Sequence, residues 1–248
     1  MNNVLKYLVI LLGVLLAAAL GGWLVLDEPL PEGTSGPEAD RLAIRMMEAV
    51  GSQHLDKSTL LAWTYPGGHH YVWDRNRNLV RVKWDDNEVL LNLDEWPKGK
   101  AYVDHREVTG DELDQLRGKA YAFFVNDSFW LLAPTKVFDK DVERKLVKQP
   151  DGNDALLMTY PKGGVTPGDS YLWILDANDL PRAFKMWVSI IPIGGVQASW
   201  EDWKTLDTGL KVATNHRIGP VSIPITDIRT GTLFREVGLP NDPFAGIE

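Results

Sequence analysis

The sequence contains no cysteine among its 248 residues. This absence excludes disulfide bonds, thiolate metal sites, a catalytic cysteine and an N-terminal cysteine that could carry a lipid. Basic residues are also few relative to acidic ones, since 26 Lys and Arg stand against 34 Asp and Glu and give a net charge of −8. Nucleic-acid binding normally requires a basic surface or stripe, and the sequence shows neither. We therefore expect no nucleic-acid partner.

The sequence motifs of common enzyme classes are absent as well. There is no Gly-x-Ser-x-Gly nucleophile elbow, no Walker phosphate loop and no Gly-x-Gly-x-x-Gly dinucleotide motif. The histidines form no His-Glu-x-x-His motif. His69 and His70 are adjacent on a predicted strand, so their side chains would point to opposite faces and could not easily bind one metal. We therefore expect no enzymatic activity, no cofactor and no metal site.

A long apolar run near the start is the clearest feature that is present. Residues Tyr7–Leu26 include no charged residue, whereas Lys6 precedes them and Asp27 and Glu28 follow. A helix of this length, at about 1.5 Å per residue, spans about 30 Å, which matches the hydrocarbon core of a bilayer. The single basic residue on the short side predicts a cytoplasmic N terminus. Residues 1–26 are therefore predicted to form one transmembrane anchor.

Two alternatives to the anchor remain open. A cleaved signal peptide is the first, because Ala17, Ala18 and Ala19 provide small residues of the kind found at cleavage sites. Apolar sequence continues to Leu26, however, which favours an anchor that is kept. A buried soluble helix is the second, although the run has no polar face. We predict a single-pass protein of the bacterial cytoplasmic membrane with its C-terminal domain in the periplasm; cleavage would instead release that domain into the periplasm.

Beyond the anchor, the composition indicates a linker, one domain and a tail. Residues 27–36 combine prolines, glycines and acids and are typical of a linker. Residues 37–237 show no internal repeat and no second linker, so they are assigned to one domain. Residues 238–248 contain two prolines and two glycines and are predicted to form an irregular tail.

The hydrophobic pattern of the domain predicts a mainly β, α+β fold. A helix is expected from Pro37 to Gly51, with Leu42, Met46 and Val50 on one face, and a second helix over residues 110–127. Short runs of β-forming residues between turn-forming residues predict about eleven or twelve antiparallel strands. These runs are Leu60–Tyr65, Tyr71–Asp74, Leu79–Trp84, Glu88–Leu93, Lys100–Asp104, Arg144–Lys148, Ala155–Tyr160, Tyr171–Asp176, Arg182–Ile191, Val196–Leu206, Leu210–Ile218 and Val221–Thr230.

Three segments of the domain resemble those of a known family. They are Phe129–Lys136 (FWLLAPTK), Gly164–Trp173 (GVTPGDSYLW), and Trp200–Trp203 (WEDW) followed by Gly209–Lys211. They look like markers of uncharacterised proteins related to outer-membrane lipoprotein-sorting proteins, a group similar to the LolA/LolB-like superfamily of lipoprotein carriers. The resemblance covers roughly residues 58–220. It implies an unclosed antiparallel β-barrel whose concave face is covered by helices and whose cavity binds acyl chains of lipoproteins or other lipids.

Tryptophan is abundant, with 10 residues in the chain. Six of them lie on or beside predicted strands and are our candidates for the lining of an apolar cavity: Trp63, Trp73, Trp84, Trp130, Trp173 and Trp187. Ordinary core packing would place the same residues inward, so both interpretations stay open. We expect the helix at residues 38–50 to cover the concave face and enclose the cavity.

Three functions are compatible with these features. The first is a membrane-anchored extracytoplasmic protein that binds lipid or acyl chains in an apolar cavity. The second is a ligand-free envelope module whose sheets pack on themselves or on a protein partner that the sequence does not identify. The third is an enzyme of unrecognised type. A filled interior would favour the second function over the first, and polar groups with perturbed pKa values in a cleft would favour the third.

Overall fold

A computed structural model of the chain describes residues 27–162 and 165–247. The predicted transmembrane helix of residues 1–26 lies outside these residues, and no helix within them is long and apolar enough to cross a membrane. The described residues contain helix α1 (Pro37–Ala49), helix α2 (Asp111–Leu132) and three short 3₁₀ helices at Ser52–Lys57, Ala133–Thr135 and Phe234–Val237.

Fifteen β-strands dominate the regular structure of the described residues, which confirms the predicted mainly β, α+β fold. They are β1 (Leu60–Tyr65), β2 (His69–Asp74), β3 (Leu79–Trp84), β4 (Asn87–Asn92), β5 (Gly99–Val103), β6 (Arg106–Val108), β7 (Glu143–Lys148), β8 (Asp154–Thr159), β9 (Ser170–Leu175), β10 (Pro181–Trp187), β11 (Val196–Ser199), β12 (Glu201–Thr205), β13 (Lys211–Ile218), β14 (Val221–Pro224) and β15 (Thr226–Gly231).

The strands form three antiparallel sheets, and none of these sheets closes on itself within the described ranges. The first sheet has seven strands in the order β15-β1-β2-β3-β4-β5-β6, the second has five in the order β11-β10-β9-β8-β7, and the third has three in the order β12-β13-β14. Most neighbours are consecutive in sequence because tight turns join them. Asn78 and Asp85, for example, adopt positive φ angles in such turns, a conformation that Asn and Asp tolerate well.

The seven-stranded sheet is covered on both faces. On its inner face, the cross-strand neighbours Trp63, Tyr71 and Val82 belong to one buried cluster with Phe124 of α2. On its outer face, the C-terminal tail buries Phe244 and Ile247 against Leu79 and Leu90. The tail, which has no helix or strand over residues 239–247, therefore contributes to the core.

The five-stranded sheet packs its inner face against α1 and the end of α2. Leu42, Ala43 and Met46 of α1 belong to the same buried cluster as Trp173 and Phe184 of the sheet. The predicted apolar face of α1 is therefore confirmed. Residues 27–36, predicted as a linker, are hydrogen-bonded to this sheet: Thr34 exchanges two backbone bonds of 2.8 and 2.9 Å with Leu146, and Glu28 pairs with Gly194.

Several predicted element boundaries are wrong. Helix α2 continues to Leu132 rather than ending near residue 127, so Trp130 is helical and not on a strand. The predicted strand Val196–Leu206 is divided at Trp200, because the chain leaves the five-stranded sheet there and enters the three-stranded sheet. The predicted strand Val221–Thr230 is divided in the same way, and β6 is not predicted at all. These divisions explain why the structure has more strands than expected.

Candidate functional site

A cavity of about 530 Å³ lies between the C-terminal half of α2 and one end of the five-stranded sheet. Its volume falls within the range of about 300–1,000 Å³ that is usual for small-molecule sites. The walls are mainly apolar and aromatic. Six side chains that represent them are Phe129 and Trp130 from α2, Tyr171 and Met186 from the sheet, Tyr160 directly after β8, and Ile191 from the loop after β10.

Helix α2 can line the cavity because its C-terminal half is apolar on more than one side. Phe124 and Leu131 pack on the seven-stranded sheet, whereas Phe129 contacts the cluster of the five-stranded sheet. A helix that is apolar around its circumference is stable only when it is buried on several sides. The two sheets supply this burial, and the cavity occupies the space that they leave beside Ser128.

Three aromatic rings form a group at the cavity wall. The Phe129 ring lies 4.7 Å from the Tyr171 ring and 5.7 Å from the Tyr160 ring, and the two tyrosine rings are 5.9 Å apart. Burial raises the pKa of Tyr160 well above its usual value. The Tyr160 hydroxyl is buried and has no hydrogen-bond partner among the described residues. A buried hydroxyl without a partner is unusual, so this group is available to donate to a bound molecule.

Lysine side chains lie at the edge of the cavity. Lys136 pairs with Asp139 at 3.7 Å, and Lys162 pairs with Asp141 at 3.8 Å. Lys140 also lines the cavity, is exposed, and forms no ion pair within residues 27–162 and 165–247. The buried Asp169 carboxylate also lines the cavity, and it accepts a hydrogen bond of 3.0 Å from the backbone N–H of Ser189. The edge therefore carries one unpaired ammonium group and one carboxylate beside an apolar interior.

Trp130 forms part of the cavity wall and rests on buried side chains behind it. Its ring lies 5.4 Å from the Phe184 ring and 5.2 Å from the His216 ring. His216 is fully buried, and its Nδ1 lies 3.1 Å from the carbonyl oxygen of Ser199. Burial lowers the pKa of His216 to about 4. The imidazole is therefore neutral at pH 7, and its Nδ1–H donates to Ser199.

A polar cluster lies where α2 faces the seven-stranded sheet. Asp127 is 2% exposed and accepts a hydrogen bond of 2.5 Å from the Tyr71 hydroxyl. His69 Nδ1 lies 2.8 Å from the same carboxylate oxygen, and Asn126 donates to the other oxygen at 2.8 Å. Burial raises the pKa of Asp127, and these hydrogen bonds act in the opposite direction. Burial and the nearby Asp127 also raise the pKa of Tyr71.

This polar cluster has a structural role in positioning α2. It joins β2 to the C-terminal half of the helix through the hydrogen bonds to Asp127. The described residues contain no group of three or more His, Cys, Asp or Glu side chains that could hold a metal ion. The cluster fixes the helix beside the cavity, which Asn126 also lines, and the cavity remains the candidate binding site.

The structure places the six candidate tryptophans in different environments. Trp130 alone among them lines the cavity. The other five pack in cores or along sheet faces: Trp63 stacks on Tyr71 at 4.5 Å, Trp73 contacts Phe124, Trp84 contacts Phe123, Trp173 contacts Phe184, and Trp187 donates its Nε1–H to Glu28. The covering element is also different from the one expected, because α2 lines the cavity and α1 contributes no lining residue within the described ranges.

Sequence reasoning did not identify Phe129, Tyr160, Tyr171 or the loop after β10 as lining residues. One available signal was the apolar sequence that continues from Val188 to Ile191, past the end of a strand that already has a typical length. Tyrosines on strands carry no such signal, because packed cores use them in the same way.

Comparisons with known proteins give a structural neighbour but no family assignment. No family model matches the sequence, and no curated protein matches it. Among solved structures, the fold is similar to the crystal structure of a DUF1329 family protein from Desulfovibrio piger. The two share 13% sequence identity and a TM-score of 0.41, and the match covers 79% of this chain and 92% of that chain. The description of this neighbour does not mention lipoprotein sorting, so the resemblance to lipoprotein-sorting proteins stays a prediction.

Proposed function

We propose that the domain binds the apolar chain of a lipid or another amphiphile in the cavity beside α2. The residue run 1–26 would hold this domain at the periplasmic side of a bacterial cytoplasmic membrane, and the sheets with α2 would act as an unclosed barrel around the ligand. The cavity carries this proposal: its walls are apolar, while the two main cores of the domain are filled with buried side chains.

The expected affinity agrees with a chain-binding site. Each buried methylene contributes about 0.8 kcal/mol, so a chain of about ten methylenes gains about 8 kcal/mol before the cost of immobilisation is subtracted. Polar contacts at one end of the chain would offset part of that cost. The Tyr160 hydroxyl and the Lys140 ammonium can provide them, since the first is an unused donor and the second an unpaired cation among the described residues. A ligand with oxygen atoms at one end fits this arrangement.

Native mass spectrometry of the full chain, released from detergent, tests the proposal. We expect co-purified lipid to appear as a defined mass increment, and extraction with organic solvent to identify it. A second test uses lipid-stripped protein titrated with dodecanoate or a lysophospholipid, with intrinsic tryptophan fluorescence as the signal because Trp130 lies in the cavity wall. Folded protein that carries no lipid and shows no fluorescence change with either ligand would contradict the proposal.

The ligand-free envelope module is the second candidate. It is favoured by the packing of the other five candidate tryptophans, which lie in cores or on sheet faces rather than around the cavity. A negative result in both binding tests would make it the better interpretation.

A further inference from the structure

The first described residues are attached to the loop that follows β10. The backbone N–H of Gly194 donates to the Asp27 carboxylate at 2.7 Å, and the N–H of Glu28 donates to the Gly194 carbonyl at 3.1 Å. Trp187 donates its indole N–H to the Glu28 carbonyl at 2.7 Å. Lys185 adds an ion pair with the Glu28 carboxylate at 2.6 Å. The point at which the apolar run of residues 7–26 ends is therefore fixed against this loop.

This close approach depends on a glycine at position 194. A Cβ atom there would lie 2.5 Å from the Glu28 carbonyl oxygen and 2.5 Å from Cδ1 of Trp187. Both distances are shorter than any ordinary contact, and the first of them is to a backbone atom. The loop is thus shaped to receive residues 27 and 28 next to its backbone.

The same loop is apolar and forms part of the cavity edge. The sequence from Met186 to Trp200 contains no Asp, Glu, Lys, Arg or His. Ile190 lines the cavity and is 73% exposed, the highest value among the large hydrophobic side chains of the described residues. Val165 also lines the cavity and is 47% exposed. Exposed apolar side chains grouped around an opening are typical of a surface that contacts another apolar phase.

The attachment point and the exposed tip are close to each other. Ile190 and Gly194 are four residues apart, and four residues of extended chain span at most about 14 Å. A membrane anchor that ends at residue 26 would therefore bring the cavity edge to the surface of the bilayer from which the anchor emerges. At such a surface the apolar side chains of the loop can enter the headgroup region, as the apolar faces of interfacial helices do.

We propose that the loop Val188–Gly195 docks on the membrane surface, so that the cavity opens directly onto lipid. The inference rests on the proposed anchor and on the proposed binding of lipid chains. The partner is a phospholipid bilayer, and Lys140 and Lys162 at the same edge can contact the phosphate groups of its lipids. Asp139 and Asp141 pair with neighbouring lysines, and Asp169 adds a third carboxylate at the cavity, so these residues weaken this attraction. The apolar loop and the anchor therefore make the larger contribution.

The absence of cysteine allows a direct measurement of depth. We would introduce Ile190→Cys into the full chain, label it with an environment-sensitive fluorophore, and reconstitute the protein in nanodiscs of phosphatidylethanolamine and phosphatidylglycerol. Insertion of the loop should shift the emission to shorter wavelength. Lipids that carry a quencher on the acyl chain should reduce the emission intensity.

Ile44→Cys provides the matched control. Ile44 is 45% exposed on α1 and lies beside Arg45, which donates to Asp179 at 3.0 Å in the turn between β9 and β10. That turn is at the opposite end of these strands from the cavity. The label at residue 44 should show solvent-like emission and no quenching in the same nanodiscs.

The possible outcomes distinguish membrane docking of the loop from lipid binding in the cavity. Solvent-like emission at residue 190 in nanodiscs that contain the protein would overturn the docking and leave lipid binding, measured by native mass spectrometry, intact. A full chain that does not enter nanodiscs would overturn both the anchor and the docking. Equal quenching at residues 190 and 44 would show unspecific contact and would also contradict the proposal.

Discussion

The Tyr71 hydroxyl donates a hydrogen bond of 2.5 Å to the Asp127 carboxylate, and this bond joins strand β2 to the C-terminal half of helix α2. Both side chains are at most 2% exposed. Because the neighbouring residues Asn126 and Ser128 line the cavity, the bond also holds one cavity wall in place. The position of the cavity wall therefore depends on a polar contact that a bound chain would not touch.

Replacement of Asp127 by Ala should lower the free energy of unfolding by about 3 kcal/mol, because Tyr71 and His69 lose their common acceptor in a buried site. Urea unfolding followed by circular dichroism measures the change. Asp86→Ala is the control, since Asp86 is exposed in the turn between β3 and β4. It should change stability by no more than about 0.5 kcal/mol. Equal effects of the two substitutions would show that the cluster does not stabilise the fold.

Stability should decrease in acid because of His216. The pKa of His216 is about 4 in the folded chain, below its usual 6.5. The unfolded chain binds a proton at this site as the pH falls below about 6.5, whereas the folded chain does not. Stability from this group is therefore complete above pH 6.5. As the pH falls toward 4, the free energy of unfolding decreases by about 3 kcal/mol in total.

The His216→Phe variant should remove this part of the pH dependence. The substitution leaves the Ser199 carbonyl without its donor and so lowers stability at every pH. The difference between urea unfolding at pH 7.5 and pH 4.5 should nevertheless become smaller. His105→Phe changes an exposed position and is the control. Its stability should differ between pH 7.5 and pH 4.5 by as much as that of the original protein. Parallel pH profiles for the original protein and His216→Phe would contradict this assignment.

Substitution of a small cavity residue should block the site. Ser128 is 4% exposed and borders the cavity on α2. Ser128→Phe places a phenyl ring in the space that an acyl chain would occupy, so dodecanoate binding should weaken at least about tenfold. Ser35→Phe adds the same ring at an exposed position and should bind as the original protein does. Unchanged binding by a folded Ser128→Phe protein would move the ligand site elsewhere.

Removal of the Tyr160 hydroxyl should separate ligand binding from stability. Tyr160→Phe removes a buried group that has no partner among the described residues, so the stability of the free protein should not fall. Binding of dodecanoate should weaken about tenfold if the hydroxyl donates to the carboxylate, a loss of about 1.4 kcal/mol. Tyr102→Phe, outside the cavity, is the matched control. A lower free energy of unfolding for Tyr160→Phe with unchanged dodecanoate affinity would show that the Tyr160 hydroxyl stabilises the core instead.

The hairpins of the seven-stranded sheet could be predicted from the sequence almost to the residue. Strands β1 and β3 begin and end where the β-forming runs do. The reason is local: the turn residues Pro66, Gly67 and Gly68, and the Asp85 turn, interrupt the runs in the way that tight turns require. Elements whose ends depend on local turn chemistry can be predicted from one sequence.

The position of Trp130 and the cavity could not be predicted in this way. The run Phe129–Leu132 is apolar and short, so its pattern is compatible with a buried strand or with the end of a buried helix. Contacts with residues distant in the sequence decide between them, such as Trp130 with His216. Inward-facing aromatic rings can fill the domain interior or leave a cavity, and the distance between two sheets decides which of these occurs. A local sequence pattern does not determine that distance.

The pairing of β15 with β1 has a consequence for how the domain is completed. Leu60 pairs with Gly231 and Leu61 with Thr230, so the edge of the first strand is covered by the last one. A ribosome adds about 5–20 residues per second, starting from the N terminus, and β1 is therefore made well before its outer neighbour exists. Until then its free N–H and C=O groups can pair with a strand of another chain. The unfinished chain is thus most prone to aggregation during synthesis, and a chain that terminates before Thr226 would keep that edge permanently open.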